Sequence, residues 1–164
     1  MENKLQLEII KLLTEDARYT TKQLSAMVGV SEDEVKSAIA QLEDSGVIVK
    51  YSAIVNTEKL NLNTVQALIE VKVTPQKLRG FDAVAEQIDN FSEVQSLYLM
   101  SGGFDIAVMV EGKTLTDISR FVAEKLSTVD GVISTATHFI LKKYKIEGQV
   151  TQKTEGAERQ LIHA

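Results

Sequence analysis

LYLMSGGFDIAVMV, residues 97–110, is the stretch from which the fold can be read outward. Two apolar runs, 97–100 and 106–110, flank Ser101-Gly102-Gly103-Phe104-Asp105. Short apolar runs on either side of a glycine pair predict two strands joined by a tight loop. Glycine reaches positive φ and leaves its backbone amides uncovered, so such a loop either turns sharply or admits a ligand closely. Asp105 puts one carboxylate at the mouth of the turn. Taken alone the motif reads as an ordinary hairpin; its neighbours decide whether it is more.

On the N-terminal side of the motif, residues 65–73 alternate, with Ala67, Ile69, Val71 and Val73 on one face and Gln66, Leu68, Glu70 and Lys72 on the other. That period predicts a strand, which Pro75 ends. Phe81, Val84, Ala85 and Ile88 then recur at helical spacing. After the motif, Ile118, Phe121, Val122 and Leu126 predict a second helix, capped by Thr116 or Thr114, and residues 132–144 a long final strand. The order is β-α-β-β-α-β, the ferredoxin-like pattern, with two helices on one face of the sheet. Leu68, Leu97, Leu99, Ala107, Met109, Thr135, Thr137, Phe139 and Leu141 are assigned to the other face. So apolar a face predicts an interface, which a two-fold dimer packed sheet against sheet would bury.

The first third of the chain has a different period. Leu5, Ile9, Leu12 and Leu13 line a helix ending near Thr14. Thr20 or Thr21 offers an N-cap before Leu24 and Val28, with Gln23 at capping-box distance from Thr20. Gly29 stops that helix, and Ser31 with Glu34 forms the capping box of the next, which carries Val35, Ile39 and Leu42 and closes at Gly46. Helix, helix, short turn, helix fits a helix-turn-helix whose last helix enters the DNA major groove, and equally a plain three-helix bundle. Residues 51–55 alternate and predict a short strand, and 56–63, with Leu60 and Leu62, a linker.

Composition narrows the function classes. The 164 residues are 44% hydrophobic and 25% charged, with no cysteine, so disulfides and thiolate metal sites are excluded. No apolar run approaches a membrane span and no signal peptide is visible, which predicts a cytoplasmic protein with no membrane partner. The net charge of -5 weighs against nucleic acid. His138, in the last strand, reads as a packing residue, and His163 sits in a polar tail where Leu161 and Ile162 either dock or fray. Nothing supports an enzyme: there are no paired carboxylates at a shared site and no histidine–acid–nucleophile set, although fold class alone excludes no chemistry.

Residues 24–31, LSAMVGVS, followed by Val35, Ile39, Leu42-Glu43, Gly46-Val47-Ile48 and Tyr51-Ser52-Ala53, resemble the DNA-binding half of the leucine-responsive/asparagine regulator (Lrp/AsnC) family. Ser101-Gly102-Gly103-Phe104-Asp105 resembles the loop signature of that family's amino-acid-sensing (RAM) domain at all five positions, and residues 131–137, GVISTAT, resemble its last strand, with Asp130 where proline is common. The likeness runs from about residue 3 to 145. It implies an α+β chain with a winged helix-turn-helix over 1–50, a strand and linker over 51–63, a ferredoxin-like RAM domain over 64–146, and a polar tail over 147–164.

The resemblance further implies a regulator that binds double-stranded DNA and a small amino acid or related metabolite, with no other cofactor. It implies a homodimer assembling into an octamer or other higher oligomer, whose operator affinity responds to the effector. By position, Met100, Ser101, Gly102 and Gly103 would line the effector pocket, Asp105 would face the ligand's ammonium group, and Thr135 and Thr137 would add hydroxyls. Asp105 has an alternative use, as a hydrogen-bond acceptor within its own turn. Candidate DNA contacts are Thr21, Lys22, Ser31, Lys36, Ser37, Ala40 and Lys50. The chain departs from the family at Ala38, where an arginine is usual, and the first 60 residues hold seven bases against ten acids. Duplex affinity rests on neutralising phosphate, so weak non-specific binding is expected. Glu32, Asp33 and Glu34 read as cap and dipole partners of their helix. The competing reading is a metabolite-binding oligomer with weakened DNA binding that acts through a protein partner.

Overall fold

The computed structural model of the chain describes residues 2–60, 64–75 and 79–151, in two compact units, Met1–Val55 and Asn56–Ala164. The expectations for Leu62, Leu161, Ile162 and His163 fall outside the described residues.

The first unit is α1 (Glu2–Glu15), α2 (Thr21–Val28) and α3 (Glu32–Asp44). Thr20 caps α2 and Ser31 caps α3, each through the reciprocal capping box with Gln23 and Glu34. Caps of this kind are worth about 1 kcal/mol each. Gly29 ends α2 at φ 74°, a conformation only glycine adopts without cost. Past α3, Gly46 takes φ 72° and the Ile48 N–H returns to the Leu42 carbonyl at 2.9 Å, so the chain reverses tightly. Ile9, Leu24, Val35, Ala38 and Leu42 form the core at 5% exposure or less. Residues 51–55, expected as a strand, take no regular secondary structure and pair with no strand among the described residues. A strand exists only with a partner to take its backbone groups, and Tyr51, Ile54 and Val55 are left exposed.

The second unit is β1 (Val65–Val73), α4 (Asp82–Asp89), β2 (Val94–Leu99), β3 (Ile106–Gly112), α5 (Leu115–Glu124) and β4 (Val132–Phe139). The sheet is antiparallel in the order β2-β3-β1-β4, as the ferredoxin-like pattern requires. Ala67, Ile69, Val71, Ile106, Val108 and Val110 bury one face against Val84, Ile88, Ile118 and Phe121 of the helices. Phe91 meets Phe121 edge to face, ring centres 5.5 Å apart. Thr114, rather than Thr116, caps α5, with Asp117 closing its box.

The faces differ from expectation in five places. Residues directly opposite in an antiparallel pair share a face. Leu97 pairs with Val108 and Leu99 with Ile106, because a bulge between Val94 and Ser96 sets the β2 register. Thr135, Thr137 and Phe139 pair with Val71, Ile69 and Ala67. All five therefore point to the helix side. The open face carries Leu68, Ala107 and Met109 as expected, but with Tyr98, Ala136, Glu70 and His138 beside them. The last strand stops at Phe139 rather than Tyr144, and Leu141 lies beyond the sheet, 95% exposed. The expected polar tail begins inside a small hairpin, β5 (Lys145–Ile146) and β6 (Gln149–Val150). Its turn residues, Glu147 and Gly148, both take positive φ, as a type I′ turn demands.

Candidate effector loop and DNA-facing surface

The loop between β2 and β3 is closed by the Met100 N–H on the Asp105 carbonyl at 2.8 Å, and tied to β1 by the Asp105 N–H on the Val71 carbonyl at 3.1 Å. β3 begins at Ile106, so the outer end of β1 runs past the last main-chain rung. There the Asp105 side chain supplies the missing acceptor: Oδ2 takes the Val73 N–H at 2.9 Å. Asp105 is thus an anchor between the loop and the neighbouring strand, not a cap of its own turn. Its Oδ1 has no hydrogen-bond partner among the described residues.

Ser101, Gly102 and Gly103 are exposed, as is Met100. Neither glycine takes positive φ, and a Cβ on either would meet nothing within 4 Å. The turn itself therefore does not require glycine, contrary to one half of the sequence expectation. What the two glycines leave is uncovered backbone amide, open to another molecule.

Thr135 and Thr137 do not join this loop within one chain. They lie opposite Val71 and Ile69, with β1 between them and β3. Two strand spacings separate β4 from β3, roughly 10 Å. Thr135 Oγ1 instead stands 3.5 Å from Ser127 Oγ. Among the described residues, one cleft of about 110 Å3 opens beside Asn56, Gln66 and Thr151 and another of about 230 Å3 between Glu111, Ile118 and Phe121. Neither is lined by the loop or by the two threonines. Neither cleft is legible in sequence: the first brings Asn56 and Gln66 to Thr151, and the second depends on how α5 packs beside β3.

On the first unit, Lys22, Ser37, Ala40 and Lys50 are exposed. Ser31 is committed to its cap: its hydroxyl donates to Glu34 Oε2 at 2.6 Å and accepts the Glu34 N–H. The hydroxyl, together with the Ser31 N–H that donates to the same Oε2 at 2.9 Å, holds the Glu34 carboxyl below the ordinary glutamate range. Thr21 donates to Glu32 at 2.6 Å. Lys36 lies 3.3 Å from Glu32 and 3.8 Å from Asp33. Arg18 is held by Asp16 and Lys4 by Glu8, while Lys11, Lys22 and Lys50 make no ion pair among the described residues. Ala38, the position where the family's arginine is absent, roots in the core at 5% exposure rather than on the outer face of α3. The Thr21–Glu32 contact escaped sequence reading; its only signal was a hydroxyl and a carboxylate in the first turns of successive helices.

Residues 66–150 match the family model of the Lrp/AsnC ligand binding domain, and residues 2–49 that of a winged helix-turn-helix DNA-binding domain. The chain is 44% identical over 158 residues to the HTH-type transcriptional regulator YugG of Bacillus subtilis (strain 168), over 96% of this chain and 95% of that protein. It is 28% identical over 142 residues to the proline dehydrogenase transcriptional activator of Rhizobium radiobacter, over 87% and 90%. Among solved structures, a transcriptional regulator from Neisseria meningitidis in complex with L-Met superposes with TM-score 0.67 at 29% identity, over 87% of this chain and 92% of that one. Among the described residues no helix is long and apolar enough to cross a membrane. With a DNA-binding helix-turn-helix and a ligand-binding domain in this order, the chain belongs to the Lrp/AsnC family of transcriptional regulators, which are not enzymes.

Proposed function

We propose that this regulator binds operator DNA through its first unit, and that a small amino-acid-like effector held by the second changes its assembly and so its operator affinity. The observation that carries the reading is the loop with its glycines at 102 and 103, which neither backbone conformation nor packing in its own chain requires. Uncovered amides in such a loop suit an α-carboxylate, and the unpartnered Oδ1 of Asp105 suits an ammonium group. Met100 gives such a ligand an apolar wall. β1 stands between Thr135 and Thr137 and the loop of their own chain, so in this reading they serve the loop of a second copy. The reading places the site between copies, in a homodimer or a larger oligomer such as an octamer. An effector that favours one assembly shifts DNA affinity by its differential binding. The L-Met complex of the Neisseria regulator supports an amino acid as the ligand class. The regulator would work in the cytoplasm, beside its DNA.

Lys22, Lys36, Ser37, Ala40 and Lys50 form the surface offered to DNA, with Thr21 and Ser31 at its edge. The pairing of Lys36 with two acids favours one alternative: a metabolite-binding oligomer that acts through a protein partner. A gel-shift against genomic fragments at low salt separates the two, since the alternative leaves no retarded species at micromolar protein.

The effector reading is tested by thermal shift with the twenty amino acids on the wild type and Asp105→Asn. Asparagine keeps an acceptor for the Val73 N–H and removes the charge. One amino acid should stabilise the wild type, by about 2.7 kcal/mol at a hundredfold excess over its Kd, and bind Asp105→Asn at least tenfold more weakly. No shift with any amino acid, or a shift unchanged in Asp105→Asn, contradicts the assignment.

A further inference from the structure

One side-chain cluster bridges the first turns of α2 and α3. Thr21, on α2, donates its hydroxyl to Glu32 Oε1 at 2.6 Å, across eleven positions of sequence. The same oxygen lies 3.3 Å from the Lys36 ammonium, which Asp33 Oδ1 also approaches, at 3.8 Å. Lys36 is the single base of α3. An i,i+4 glutamate–lysine pair is a common helix device of small worth. The third member, from the other helix of the DNA-binding pair, sets this cluster apart. A hydroxyl and an ammonium converging on one anionic oxygen is the arrangement in which proteins hold a backbone phosphate of duplex DNA. Here the anion is supplied by the chain itself. Glu32 and Lys36 are both solvent-accessible, at 42% and 56% of the side chain, so the carboxylate is free to exchange for another anion.

We propose that Glu32 is an internal competitor for DNA phosphate: its carboxylate occupies Thr21 and Lys36, and a duplex phosphate must displace it before the two helices grip the backbone. The proposal rests on duplex binding by this unit. It makes Glu32 the residue that sets the regulator's general affinity for DNA, keeping non-specific binding low despite a fold built for it. Only a duplex held by further contacts elsewhere, such as those from Lys22 and Lys50, would open the cluster.

The test is fluorescence anisotropy of a labelled random-sequence duplex with the full chain, in low salt and along a salt titration. The core comparison is between wild type, Glu32→Gln, Lys36→Gln and the double variant, with Thr21→Val and Asp44→Asn as further controls. Lys36 is exposed and Glu32 half-buried, and circular dichroism and thermal unfolding confirm equal folding before binding is compared. Recruiting one more phosphate contact is worth about tenfold at low salt and steepens the log–log salt slope by about 0.9. Glu32→Gln should therefore tighten binding about tenfold in the wild-type background. It should do so by less than about threefold beside Lys36→Gln, which removes the released cation. Thr21→Val in place of Lys36→Gln should reduce the gain as well, while Asp44→Asn, which removes a charge without freeing a partner, should change little. An equal gain from Glu32→Gln in both backgrounds would mean the carboxylate acts by bulk charge alone and would overturn the proposal. Binding that is unchanged in Glu32→Gln overturns it too, leaving DNA binding intact. No duplex binding by any variant overturns this proposal and the DNA-binding reading together.

Discussion

Asp105 shows how one side chain can serve the fold and leave capacity for a ligand. Its Oδ2 takes the Val73 N–H at 2.9 Å, where β1 has outrun β3. Asp105→Ala leaves that donor without its acceptor in a half-buried position, and should cost about 1–3 kcal/mol in urea unfolding; Asp105→Asn should cost well under half of that. A loss in alanine no larger than in asparagine would remove the anchoring role. Glu93 is a second residue whose chemistry can be followed. The Lys125 hydrogen bond, at 2.6 Å, is the main reason its carboxyl titrates below the usual glutamate range. A carboxyl depressed in the folded state stabilises the fold above its unfolded value, and the contribution fades as pH falls through the folded one. Both side chains are partly exposed, so screening keeps the pair under about 1 kcal/mol. The Tm gap between wild type and Lys125→Gln should therefore be widest near neutral pH and narrow through the acid carboxylate range. A gap that widens on acidification would contradict the assignment.

At the scale of elements, the approach of β3 to α5 depends on Gly112. A Cβ there would sit 3.0 Å from Ile118 Cγ1 and 3.5 Å from the Asp117 Cβ. Ile118 is buried, so it has little room to yield. Gly112→Ala should destabilise by about 1–3 kcal/mol through overpacking, read as a lower midpoint in thermal or urea unfolding, and an unchanged midpoint would show that the helix shifts freely. The main elements were legible before the structure because local signals agreed: both capping boxes of the first unit, the stop at Gly29, and the period of β1. Registers were not. One bulge at Val94–Ser96 moved Leu97 and Leu99 to the helix side, and the β1–β4 pairing did the same for Thr135, Thr137 and Phe139. A bulge leaves no mark in alternation, yet it inverts the face of every residue beyond it. The hairpin at 145–150 was missed because its turn rests on Glu147 at φ 44°, a residue type that rarely announces such a turn. Of the candidate site, the loop was legible as a motif. Its anchor was not, because Val73 contributes only a backbone N–H and no side-chain signal.

For the whole molecule, the two units carry separate cores and opposite tasks. The first presents an acidic recognition helix whose only base is already paired. The second presents an open sheet face with Leu68, Ala107, Met109 and Tyr98 among charged neighbours. Glu70 and His138 stand 3.3 Å apart on that face. The loop at 101–105 and the threonines of β4 meet only if copies of the chain come together. On the proposed reading, effector binding, assembly and DNA affinity form one linked equilibrium. The most direct test selects duplexes from a random library with the full chain at low salt, then titrates the best of them by anisotropy with and without each of the twenty amino acids. The account predicts a micromolar or tighter complex whose apparent Kd moves at least fivefold with one amino acid, and moves far less in Asp105→Asn. Duplex binding that no amino acid alters, or no binding at micromolar protein, would contradict it.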